Sequence, residues 1–289
     1  MMHRVRASLV IARHQARETL LSPGMYVTLT LGLLLGYFLV ASFVDSIDSS
    51  GFNPRTTPLL QLVTSSFAGA FGSAFVEKLF AEGPFLFALA VSFAPVFLYL
   101  SITSVFRFGL EKNAGAVELL SYGPADGTSY FLASFLRDTV FTAGTLLVIA
   151  VFFRIAAGIA SLALGPLFFA ALPLLFLLSL AFSSWGILGS ILAGNGASAL
   201  AMFVGVLALF LAVLVGSFSV AGTAVQTVAA AIADGLQWVS PFFYAALGFR
   251  AFTGENAVGF AGSLALLALL SAVILCASHL LISRRGVRE

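Results

Sequence analysis

Residues 106–130 read FRFGLEKNAGAVELLSYGPADGTSY, and how this stretch is understood decides the rest of the chain. It separates two long apolar runs and brings in Glu111, Lys112, Glu118 and Asp126, in a protein whose charged residues are only 9% of the total. A polar island of this kind marks a loop held outside a bilayer, with a membrane-crossing helix on either side. Locally, Asn113 reads as the cap of a short helix whose apolar face is Ala116, Leu119 and Leu120. Gly123 supplies a left-handed stop, Pro124 bars continuation, and Asp126 or Thr128 caps the helix that follows. The expectation is a short amphipathic helix outside the membrane that offers Leu119 and Leu120 to something other than lipid. That is a docking element.

Composition supports membrane-crossing neighbours. The 289 residues are 60% hydrophobic with a mean hydropathy of +1.08, whereas soluble domains are roughly 45–50% apolar. Six apolar runs are long enough to cross a hydrocarbon core, which takes about 20 residues: 25–44, 84–106, 130–153, 166–192, 197–220 and 258–281. None alternates polar and apolar residues, so each is expected to be a helix and not a barrel strand. Pro95 and Pro173 are expected to kink the second and fourth, and Gly194-Asn195-Gly196 to form the turn between the fourth and fifth. The fold class is therefore all-α and membrane-integral, with residues 1–24 forming an interfacial helix before a six-span domain over 25–289. Along 1–24, Val5, Leu9, Ala12, Ala16 and Leu20 make one stripe, and Arg4, His14, Arg17 and Glu18 lie away from it. Charges at Arg13, Arg17 and Glu18 exclude a cleavable signal.

Basic residues set the orientation. With the N-terminus inside, nine Lys and Arg lie on inner segments: Arg4, Arg6, Arg13, Arg17, Arg107, Lys112, Arg284, Arg285 and Arg288. Four lie on outer ones, Arg55, Lys78, Arg154 and Arg250, and Arg137 falls within a span. Both termini and residues 106–130 are thus expected in the cytoplasm. Of the outer segments, 45–83 carries Phe67, Phe71, Phe75 and Leu79 at i, i+4 spacing. The segment 221–257 carries two short helical stretches, around 226–236 and 241–252.

Most chemistries are excluded by what is missing. There is no G-x-x-x-x-G-K-[ST] loop for nucleotide phosphates, and no basic patch for nucleic acid. Ser198 and His279 lack the surroundings of an intramembrane protease. His3, His14 and His279 all lie at the cytoplasmic edge and cannot converge on a metal. Cys276 is the one cysteine, so no disulfide forms within the chain. Arg137 and Asp138 are the only charges well inside a span, expected to pair with neighbouring helices or to reach the interface. Small residues at four-residue steps, Gly32 and Gly36 in the first span and Ala208, Ala212 and Gly216 in the fifth, mark helix contacts within the chain or with a second copy.

Glu111, Gly115, Val117, Glu118, Leu119, Leu120, Ser121 and Pro124 together resemble the E-x-x-x-G-T-x-E-x-L-L-x-x-P signature of ABC-2-type permeases, the membrane subunits of many bacterial ATP-driven exporters. Ala116 stands where that family usually has Thr, and Ser134 roughly where a Lys often follows. The likeness runs over nearly the whole chain, but only 111–124 is specific. It implies that this segment couples to a separate ATPase subunit, which binds ATP and Mg while this chain binds no cofactor and is not an enzyme. It also implies an interfacial elbow helix at the N-terminus and a re-entrant segment at LQWVSPFFYAALGF between the fifth and sixth spans. A second permease subunit, identical or homologous, would associate through the first and fifth spans in the lipid bilayer of the bacterial inner membrane. A non-transporting membrane scaffold or assembly factor of the same fold is the alternative, and substrate-stimulated ATP turnover separates the two.

Overall fold

The structure, a computed structural model, describes residues 2–50, 85–113, 127–159, 161–219 and 235–285. Eight helices lie within these ranges: α1 Met2–Leu21, α2 Pro23–Ser50, α3 Phe85–Asn113, α4 Gly127–Ile159, α5 Pro166–Leu192, α6 Gly196–Ser219, α7 Pro241–Thr253 and α8 Ala257–Arg285. No strand is present among the described residues. Six of the helices, α2 to α6 and α8, are long and apolar enough to cross a membrane. An apolar medium offers backbone N–H and C=O groups no water, so unbroken helices are the economical answer to these six runs. Helix α5 coincides with the apolar run at 166–192, while α4 continues past the run ending at 153 to Ile159. Pro95 and Pro173 both sit inside continuous helices.

α5 is the hub. It is the most deeply buried of the six and packs against α3, α4, α6, α7 and α8. Edge-to-face rings tie one half of the bundle together, with the Phe153 ring centroid 6.1 Å from that of Phe85 and 6.4 Å from that of Phe168. α2 lies against α3 because Gly32 and Gly36 have no side chains. A Cβ on either would come within 3.0 Å of Ser92, from its backbone at Gly32 and its hydroxyl at Gly36, and one on Gly36 would also sit 2.7 Å from the Phe153 ring. Small residues at four-residue spacing are what allow two helices such close approach.

The helices alternate in direction, so the bundle has two distinct ends. At one end lie α1, the start of α2, the end of α3, the start of α4, the α5–α6 turn and the end of α8. Contacts at that end include Ser22 Oγ to Tyr99 Oη at 2.7 Å and a cluster of Tyr130, Phe131 and Ile187 with Ile11 and Ile282 packed on it. The segment 161–165 and the α7–α8 turn lie at the other. α7 packs on α5 and α8. Its Phe242 ring is 4.8 Å from that of Phe182, and a Cβ on its Gly248 would meet Leu174 and Ser263, each at 2.6 Å.

Candidate docking end of the bundle

The residues flanking 114–126 are positioned by three sets of contacts. The first is between α3 and the start of α6. Gly109 lies against the α5–α6 turn, where an added Cβ would be 2.5 Å from the Gly196 Cα. That turn is itself fixed: the Ser198 amide donates to Asn195 Oδ1 at 2.7 Å, and the Ser198 hydroxyl donates to the Asn195 carbonyl at 2.9 Å. The Asn195 amide donates in turn to Ser198 Oγ at 3.1 Å, so Asn195 caps α6 with a reciprocal pair of bonds that satisfies amides left unpaired at a helix start.

The second set comes from α1. Its buried face is Ser8, Ala12, Gln15 and Thr19, beside the apolar stripe read from the sequence. Leu9 and Leu20 of that stripe are each 53% exposed. The buried face is set by small and polar side chains that reach partners on α3 and α4. Ser134 Oγ of α4 bonds Gln15 Oε1 at 3.3 Å, and Ile11 packs on Tyr130 and Phe131. The Arg107 guanidinium of α3 pairs with Glu18, which His14 approaches at 3.3 Å. One short helix therefore holds the end of α3 and the start of α4, the two helices that bracket 114–126.

The third set is a polar seam inside the bundle. Arg137 and Asp138 are each only 3% exposed. Arg137 donates to Asp138 Oδ1 through Nε at 3.0 Å and Nη2 at 2.6 Å. Ser183 of α5 donates to Asp138 Oδ2 at 2.6 Å, and one turn further along, Thr142 and Ser179 hydroxyls meet at 3.3 Å. The sequence expectation of pairing with another helix holds for Asp138 through Ser183. Both charges are buried, and they neutralise each other within the bundle.

No protein-family model matches the chain, and no curated protein is similar to it. The case for a function therefore rests on the residues themselves. Among the described residues there is no group of three or more metal-ligating side chains.

Of the residues expected to couple to a partner, Glu111 falls in the last turn of α3. Gly115, Val117, Glu118, Leu119, Leu120 and Pro124 lie outside the described residues, as does the helix expected there. Asn113, expected to cap that helix, is itself helical and ends the described part of α3. Nothing between Leu110 and Asn113 is a breaker, so α3 runs on beyond its apolar part. α4 begins at Gly127, directly after Asp126. Of the small residues, Gly32 and Gly36 are buried against α3 of the same chain. Ala208 and Ala212 are exposed on α6, and Gly216 is in its last turns. Gln15 and Ser183 carry no motif, and Glu18 and Arg107 stand out in the sequence only as charges, not as a pair. The polar period of Ser8, Gln15 and Thr19, running beside the apolar stripe, is the one signal that marked any of them.

Proposed function

We propose that this chain is the six-span permease half of an ABC-2-type exporter. In this reading residues 111–124 receive a separate ATPase subunit that binds ATP and Mg, and two permease chains enclose the transport path. What carries the reading is the tie between the flanks of that stretch: α1 joins α3 through Glu18–Arg107 and α4 through Gln15–Ser134. A push on 111–124 would therefore reach α3 and α4 as a unit, and through Asp138–Ser183 the central α5. The absence of a phosphate-binding loop from the sequence fits hydrolysis on another polypeptide.

Further features fall in with this assignment. α1 acts as the interfacial elbow, its exposed Leu9, Leu20 and Leu21 facing the membrane boundary. α7 is the re-entrant segment: it starts level with Phe182, midway along α5, and turns back to α8 at the far end. The Lys and Arg bias puts the α1 end of the bundle in the cytoplasm of a bacterial cell, below the inner membrane. The exposed Ala208 and Ala212 on α6 are the small-residue positions open to a second permease subunit.

The test is purification of the tagged full chain from its native host membranes. An ABC-type ATPase should copurify with the wild type and be lost from Leu119→Asp/Leu120→Asp, with that variant still membrane-inserted and monodisperse. A wild-type chain that brings down no ATPase, or a double variant that retains it, overturns the assignment.

A further inference from the structure

α1 carries a pair of arginines that nothing in the bundle engages. Its buried positions, Ser8, Ala12, Gln15 and Thr19, define the side that lies against α3 and α4. At about 100° per residue, Arg13 and Arg17 fall on the opposite side of the helix, one turn apart. Both are exposed, and neither has an ion-pair partner among the described residues. The only acid of α1, Glu18, is already paired with Arg107 and approached by His14. The uncompensated charge on the outward side of α1 is therefore positive.

Large aliphatic side chains surround that charge. Around the helix, Leu9 and Leu20 lie within about 40° of Arg13, and Val10 and Leu21 within about 40° of Arg17. Leu9 and Leu20 are each 53% exposed, Val10 69% and Leu21 72%. Four exposed aliphatics around two free cations suit neither bulk water nor hydrocarbon; they suit the boundary where acyl chains meet headgroups. Depth in the bundle agrees. α4 is apolar over the 31 residues from Ser129 to Ile159, which at 1.5 Å per residue is about 46 Å, against a hydrocarbon core of about 30 Å. A span of that length stands in the headgroup layer at its ends, and α1 packs on Tyr130, Phe131 and Ser134, at the start of it. The anion met at that depth is a lipid phosphate, which a guanidinium can hold through two parallel N–H groups. A zwitterionic head brings an ammonium of its own, so a cationic pair favours a head with net negative charge.

We infer that Arg13 and Arg17 of α1 bind the head of an anionic phospholipid, with the aliphatic side chains beside them against its acyl chains. The site rests on α1 lying at the membrane boundary, as in the elbow reading above, and needs no ATPase.

The test uses the full-length chain in detergent, alone, with native mass spectrometry reading the binding of phosphatidylglycerol and phosphatidylcholine that carry identical acyl chains. A basic residue near an anionic lipid surface contributes about fivefold in binding, so the wild type should hold the anionic lipid about tenfold tighter or more. Arg13→Gln/Arg17→Gln, which leaves every buried contact of α1 in place, should erase that preference. Arg154→Gln, at an exposed arginine near the other end of α4, should keep it. Equal affinity for the two lipids in the wild type overturns the site, as does a preference that survives the double change or is lost in Arg154→Gln. Inorganic phosphate should displace phosphatidylglycerol no more than sodium chloride of equal ionic strength; stronger displacement would mean a site for a soluble anion and overturns the lipid. The same two lipids with a diazirine in the head are also crosslinked to the wild type. Peptides from 9–21 labelled mainly by the anionic probe support the inference. Equal labelling there by both probes overturns it and leaves the elbow reading standing, whereas labelling by neither overturns both.

Discussion

Asp138 is the residue on which the interior turns. A lone charge in an apolar interior is costly, and ionisable residues inside membrane helices persist when they are paired. Here Arg137 and Ser183 between them occupy both carboxylate oxygens, and all three side chains are buried. Removing one partner strands the other charge, a loss of roughly 3–5 kcal/mol for a buried pair, whereas exchanging both for apolar residues is often close to neutral. Asp138→Ala is therefore expected to lower stability by about that much, while Arg137→Met/Asp138→Leu retains most of it. Denaturant titration in mild detergent measures both. A double variant as unstable as the single one would show that the Arg137–Asp138–Ser183 cluster itself, and not the avoidance of an unpaired charge, holds α4 to α5. The charges at 137 and 138 were plain in the sequence, but their mutual pairing was not. Neighbours on a helix point roughly 100° apart, and only the reach of the Arg137 side chain closes that angle.

At the level of elements, α1 is the helix whose protein-facing side the apolar stripe did not mark. Its apolar residues at helical spacing were read as one face of an interfacial helix, and in the structure Leu9 and Leu20 are exposed while Ser8, Gln15 and Thr19 are buried. This division of faces has a physical cause. Apolar periodicity marks the buried face of a helix when water is the alternative, but beside a bilayer exposed leucines lose nothing and polar side chains gain by finding protein partners. The same logic explains why the six spans were readable: their length and apolar content are set by the medium, not by neighbours. Gly32 and Gly36 were legible as a close-packing motif but not their partner, which proved to be α3 within the chain. The Glu18–Arg107 tie predicts a measurable effect at the same scale. Glu18 and Arg107 are partly exposed, so their pair is worth about 0.2–1 kcal/mol. Arg107→Glu is expected to speed amide exchange in residues 8–19 by about five-fold at most. The swap Arg107→Glu/Glu18→Lys should restore protection. Exchange that is unchanged in the single variant would mean that the α4 contacts alone hold α1.

For the whole molecule, the decisive property is that two sets of segments sit at opposite ends of one bundle. α1, the α5–α6 turn at Gly194 and Asn195, and the C-terminal end of α8 share one end; residues 161–165 and the α7–α8 turn at Gly254–Asn256 share the other. Each of the six long helices crosses between these ends, so the proposed membrane places the two sets in different compartments. Cys276 is the only cysteine, and Cys276→Ser provides a background for single-cysteine labelling. Cysteines introduced at His14 and Asn195 should react with a membrane-impermeant maleimide only in inside-out vesicles, and those at Ser161 and Glu255 only in intact spheroplasts. All four positions are exposed, so accessibility to the reagent reports the compartment and not burial. His14 and Asn195 labelled from opposite sides would break the six-span arrangement itself. All four labelled from the sides opposite to those expected would keep the bundle and invert it, placing 111–124 away from ATP and removing the ground for an ATPase partner. The nine-to-four distribution of Lys and Arg favours the first orientation, because positively charged segments next to membrane spans are retained on the cytoplasmic side.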